Sequence, residues 1–183
     1  VYKRQCDASS YNQYSNVITI TVATGNKYVS TSGHDTNNDG NSSGSPYLTL
    51  ARAIDQATCG SVITVASGTY NGDLIDVETS GATEKDGISI VGAGMGSTIF
   101  EQDGTGDQFM RIKGSVSDIT ISDLTIQNYD ESGDGAGFDI TTSGTVTLQD
   151  VEIKKCSTSS NGDGAGVYVG SVSYTHLTLP TIE

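Results

Sequence analysis

The residues best suited to chemistry are Asp35-Thr36-Asn37-Asn38-Asp39-Gly40, which have the D-x-N-x-D-G form of a calcium loop. Carboxylate and amide oxygens at alternate positions can converge on one hard cation, and the glycine permits the sharp turn. Asp35, Asn37 and Asp39 are therefore the candidate calcium ligands, and calcium is the candidate cofactor. Two facts pull the other way. The position where such a loop carries a bidentate Glu holds Pro46, and Asp, Asn and Gly build turns without any metal. The sequence leaves both readings open, calcium loop and Asx-rich turn.

Further acids recur. Gly133 to Gly137 and Gly162 to Gly166 both read GDGAG, so Asp134 and Asp163 occupy equivalent places. Stacked carboxylates either share a cation or repel weakly in water, whereas the glycines point to a turn that needs positive φ or a close backbone approach. Asp123 and Asp150 recur as well, each between apolar positions that flank a corner. A pair of acids is what glycosidases use, but recurrence in register is also what a repeated corner residue shows. Arg111 and Lys113 lie on an expected strand and are the mid-chain bases a lyase would need for proton abstraction; solvation of a surface is the simpler expectation for both. Tyr70, Tyr129 and Tyr168 fit either a sugar-stacking strip or packing at strand ends. Cys156 has no histidine neighbour and reads as a turn or core residue. No catalytic residue is assigned.

The elements that must position these groups are repeats. Ile119, Ile121, Asp123, Leu124 and Ile126 fall on Val146, Leu148, Asp150, Val151 and Ile153, giving a period of about 27 to 29 residues. That period is typical of solenoids, whose units bury their apolar faces only by stacking on a neighbour. From Ser61 onward short alternating runs follow one another, among them SVITVASGTY, LIDVE, GISIVGAG, FMRIKG and GVYVG, punctuated by Gly, Asn or Asp. The stretch SVITVASGTY places Ile63 and Val65 on one face and closes with Gly68-Thr69-Tyr70. Lys27 to Thr31 is an earlier strand, and Val17 to Val22 another. One segment differs. In TLARAIDQAT, Leu50, Ala53, Ile54 and Ala57 stand at i, i+3, i+4 and i+7, with Thr49 as N-cap and Gly60 as stop signal. A short amphipathic helix there suits a cap over the open end of the stack.

Composition narrows the classes. The chain has 183 residues, 23 of them Gly, no Trp, and 22 acidic against 9 basic residues for a formal net charge of −13. Such a field repels phosphate backbones and anionic lipid surfaces, so nucleic acid is not an expected partner. No apolar run approaches the roughly 18 residues of a membrane-spanning helix. Three cysteines, Cys6, Cys59 and Cys156, make neither a dense disulfide framework nor a metal spacing.

With KYVST, GSPYLTLARAIDQA, GSVITVASGTY and the Gly-Ala-Gly turns in hand, residues 26 to 170 resemble the N-terminal cap and first rungs of a right-handed parallel β-helix of the pectin-lyase-like kind. Their closest likeness is to secreted or surface β-helix proteins of the polymorphic outer-membrane type. The resemblance implies an all-β solenoid with a short N-terminal capping helix, truncated on its C-terminal side with further rungs missing. It also implies an extracellular or cell-surface location and a polysaccharide or host-glycan partner. Residues 6 to 25 resemble the closing strands of a fibronectin type III-like domain, or form a linker strand. Residues 1 to 5 (VYKRQ) and about 171 to 183 (VSYTHLTLPT within them) resemble translated sequencing adapter and are set aside as non-native. His34 is then the one histidine available, which excludes any scheme needing two imidazoles. Because this superfold hosts lyases, hydrolases, adhesins and passive stalks, two functions are expected. The first is an adhesin-like or polysaccharide-interacting module without catalysis in this segment. The second is the N-terminal part of a polysaccharide lyase or glycoside hydrolase whose catalytic rungs lie beyond residue 170.

Overall fold

The computed structural model describes residues 25–72, 74–78, 85–102, 108–159 and 161–170. The two stretches likened to adapter, the expected strand at Val17 to Val22, and all but the last residue of the fibronectin-like segment lie outside these residues. The chain runs through β1 (Lys27–Val29) and α1 (Leu50–Gln56) into a first coil of β2 (Val62–Val65), β3 (Gly68–Asn71) and β4 (Ile75–Val77). The second coil is β5 (Ser89–Val91), β6 (Thr98–Glu101) and β7 (Met110–Gly114). The third is β8 (Ile119–Gln127), β9 (Asp130–Glu131) and β10 (Phe138–Thr142), and the next is β11 (Val146–Lys154), β12 (Ser157–Thr158) and β13 (Val167–Val169).

Every strand pairing is parallel. From β2 through β5 and β8 to β11 the chain returns to the same face, giving a β-solenoid of about three turns. A second face holds β3, β6 and the latter halves of β8 and β11, and a third holds β4, β7, β10 and β13. The register sets like on like. Ile63, Ile90, Ile121 and Leu148 form one interior column, and Ile75, Met110, Phe138 and Val167 another. Fully burying each such side chain is worth about 1.5–3 kcal/mol. An aromatic series runs through the centre: Tyr70 stacks on Phe100 at 5.2 Å, Phe100 meets Phe109 at 5.0 Å, and Phe109 meets Tyr129 and Phe138 edge-on. Tyr70 and Tyr129 are thus core residues, and no tyrosine strip forms with Tyr168.

The corners explain the recurrent acids. Asp123 and Asp150 have φ of 60° and 51°, the left-handed region that Asp and Asn tolerate better than most side chains. Each bends its long strand from the first face to the second. Both are therefore corner residues.

Two details differ from the sequence expectation, and a third was not foreseen. Gly68 to Tyr70, read as the close of the SVITVASGTY run, belongs to a separate strand, β3, paired with β6 from Gly68↔Thr98 to Asn71↔Glu101. A neighbouring rung supplies its hydrogen bonds, so little local β propensity is required. The helix starts as expected, with Thr49 Oγ1 accepting from the Arg52 N–H at 3.2 Å, and Leu50, Ala53, Ile54 and Ala57 are buried. It stops earlier, at Gln56, with Ala57 extended. Its exposed carbonyls are capped from a distance: Lys85 Nζ donates to the oxygens of Ile54, Asp55 and Ala57 at 2.8, 2.9 and 2.8 Å. Finally, Val146, Leu148, Val151, Ile153 and Val167 are only partly buried, whereas Ile119, Ile121, Leu124, Ile126 and Phe138 one rung earlier are sealed.

Candidate functional site

The loop from Asp35 to Gly40 is organised by its own carboxylates. Asp35 Oδ1 accepts from the N–H groups of Leu48 and Thr49 at 2.8 and 3.0 Å, and Oδ2 accepts from Thr49 Oγ1 at 2.8 Å. Asp35 therefore braces the N-cap of α1. Asp39 Oδ1 accepts from the Asn41 N–H at 3.0 Å, an Asx turn that holds its carboxyl below the usual range. Asn37 stands beside His34, its Nδ2 3.4 Å from His34 Nε2, while His34 Nδ1 accepts from the backbone N–H groups of Thr36 and Asn37. Pro46, at the place of the missing Glu, accepts from Asn38 Nδ2 and the His34 N–H through its carbonyl. Among the described residues, no group of three or more His, Cys, Asp or Glu side chains is placed to hold a metal.

The GDGAG turns stack, and their acids do something unexpected. Asp134 Oδ1 accepts from the Asp163 backbone N–H at 2.7 Å, while the Gly135 N–H donates to the Asp163 carbonyl at 3.0 Å. The contact between the two turns thus runs from the Asp134 side chain to the Asp163 backbone.

The third face gathers a different set. Its register places Asp76, Arg111, Asp139 and Tyr168 in one cross-strand row, with Lys113 and Thr141 in the row beside it. Side chains alternate along each strand, and Ile75, Val77, Met110, Ile112, Phe138 and Ile140 take the inward positions, so the row faces outward. Arg111 clasps Asp76 in two bonds, Nε to Oδ1 at 2.7 Å and Nη2 to Oδ2 at 3.0 Å. Lys113 Nζ lies 3.3 Å from Asp139 Oδ2. The bases expected to be solvated are thus each tied to an acid of the adjacent strand. Asp139 stands out, with its side chain only 12% exposed. Its second oxygen, Oδ1, is buried and has no hydrogen-bond partner among the described residues.

Asp76 and Asp139 were not among the residues singled out from the sequence. A signal for them existed. Setting the alternation of IDV, MRI, FDI and VYV in register puts D, R, D and Y in one column. The rest of the outward surface has other chemistry. The first face carries Thr and Ser (Thr64, Ser89, Thr120, Ser122), and the second carries an amide and carboxylate cluster in which Gln127 and Asn128 donate to Glu101. A cleft of about 430 Å³ beside α1, lined by Leu48, Thr69, Tyr70 and Phe100, is largely apolar.

A parallel β-helix with a small helical cap and a salt-bridged outer sheet face is the class these observations define. Within it, residues 31–175 match the family described as a protein of unknown function, DUF1565, and the chain belongs to that family. No curated protein and no solved structure gives a significant match.

Proposed function

We propose that this chain is the cap and first rungs of an extracellular or cell-surface β-helix protein, adhesin-like in role, that holds a polysaccharide along its third face. Catalysis is not assigned to this segment. The observation that carries the reading is the outward row Asp76, Arg111, Asp139 and Tyr168 with Lys113 beside it. Strands about 4.8 Å apart present these groups as a regular ladder, and an extended sugar chain is a ligand that meets such a ladder with repeated hydroxyls and apolar ring faces. The two-bond Arg111–Asp76 pair keeps its groups in place before any ligand arrives, which lowers the ordering cost of binding. Export is supported by Cys59, which is disulfide-bonded, because disulfides persist in oxidising compartments. Cys156 remains a free thiol.

Affinity electrophoresis of the 183-residue chain through gels containing neutral and acidic polysaccharides tests the proposal. Retardation by at least one polysaccharide, abolished by the double substitution of Asp139 and Tyr168 to Ala, is expected. Unretarded migration through every gel overturns it. Appearance of unsaturated sugar products in the same mixtures overturns the reading of this segment as non-catalytic.

A further inference from the structure

We infer that the third face selects a neutral glycan, gripped through a hydroxyl pair by Asp139 and Lys113 with Tyr168 against a sugar ring; this rests on the glycan-binding reading above. The selection follows from which charges are already used. An acidic polysaccharide needs free cations, since carboxylates are recognised by bidentate Arg or by Lys. Arg111 has both of its directed bonds on Asp76, and Lys113 faces Asp139. The four charges of the patch cancel, and the chain as a whole carries −13. A polyuronate would meet repulsion at long range and, at contact, only bases whose charge Asp76 and Asp139 already neutralise.

What the patch lacks is a donor. Asp139 Oδ1 is buried without a partner, and leaving such an acceptor unmet costs about 1–3 kcal/mol, more for a charged group. A sugar hydroxyl supplies the missing donor and, with its lone pairs, accepts from the Lys113 ammonium, which carries three N–H groups. One hydroxyl donating to Asp139 while it or its neighbour accepts from Lys113 satisfies both side chains without any net charge on the ligand. Access to Oδ1 requires side chains of the face to move; Lys113 is one-third exposed on a flexible stem, and side-chain rotamer changes are common on binding. Tyr168 stands next to Asp139 in the row, one strand further along, where its ring offers an apolar surface to the C–H face of a pyranose.

The test is a calorimetric titration of the 183-residue chain against hexasaccharides of two kinds: neutral (glucan, mannan, galactan, xylan) and acidic (galacturonan, alginate). Each is run at low salt and at 0.5 M NaCl. At least one neutral oligosaccharide is expected to bind, with affinity unchanged by salt. Asp139→Asn and Lys113→Gln should each weaken it tenfold or more, Tyr168→Ala should weaken it comparably, and Thr64→Ala, on the separate first face, should leave it within twofold. Melting curves of the variants confirm that each is folded, and Lys113→Gln, on an exposed stem, serves if Asp139→Asn is not. Acidic oligosaccharides binding as tightly as the neutral ones, or more tightly, overturn the selectivity and leave the glycan reading standing, whereas binding that none of the third-face variants alters overturns both. Silence from both kinds overturns both.

Discussion

The carboxylate of Asp134 accepts a hydrogen bond from the backbone N–H of Asp163, its own counterpart one rung later, at 2.7 Å. The repeated acid therefore links successive turns of the coil as side chain to main chain. A backbone donor at a turn, otherwise left to water, gains a charged acceptor, and bonds of this kind are worth about 1.5–3 kcal/mol before exposure discounts them.

Asp134→Ala is accordingly expected to lower the melting temperature by a few degrees, since about 1 kcal/mol corresponds to roughly 2–4 °C in a chain of this size. Amide exchange at Asp163 should accelerate more than at the neighbouring Val167 to Val169. Unchanged protection at Asp163 counts against the link.

The glycines of the same turn do a separate job. A β-carbon on Gly162 would run into the carbonyl oxygen of Gly133, and Gly164 holds φ at 63°. Gly162→Ala must push two rungs apart at the backbone, where nothing flexible can yield. The expected cost is about 2–3 kcal/mol, within the range of overpacked sites. A thermal melt indistinguishable from the parent shows that the turns do not approach so closely.

The Asp35 loop separates two readings by experiment. Through its bonds to Leu48 and Thr49, Asp35 supports the start of α1, so Asp35→Ala should cost about 1–2 kcal/mol without added metal, the usual scale for losing a cap. If Asp35, Asn37 and Asp39 also take calcium, millimolar calcium raises the melting temperature of the parent, by the linkage of binding to stability, and Asp39→Ala removes the increment. A melting temperature independent of calcium reduces the loop to its turn.

Acid should weaken the fold in a defined window. Hydrogen bonds from Lys154 and Thr125 hold Glu152 below its usual range, and the Asn41 N–H does the same for Asp39. A carboxyl whose folded pKa is depressed contributes stability above its unfolded value of about 4 and loses it as pH falls through the folded value. Denaturation midpoints should therefore drop as the pH falls below about 4.5, and Glu152→Gln should flatten part of that slope. A slope unaltered by Glu152→Gln assigns it to other carboxylates. Because Glu152 lies largely in solvent, its share is small and shrinks with salt.

Much of the architecture was legible because a solenoid writes its period into the chain. Ile121 and Leu148, or Ile126 and Ile153, recur at fixed spacing since each must cover its predecessor, and the Thr49 cap with Leu50, Ala53 and Ile54 is a local pattern. Gly68 to Tyr70 escaped because a three- or four-residue strand draws its stability from the adjacent rung and leaves no alternation to read. Lys85 escaped for a related reason: it caps α1 from some thirty positions away.

By itself, the sequence determined the fold class, the stacking register and the turn chemistry, all set by residues near one another or one period apart. It also named Arg111, Lys113 and Tyr168, but as isolated positions. Only the tertiary structure decided that Arg111 belongs to Asp76 and Lys113 to Asp139, and that one oxygen of Asp139 is left without a donor. Charge pairing depends on distances between side chains 26 to 35 residues apart, and burial depends on everything packed around them. Neither quantity is carried by residue type or spacing alone.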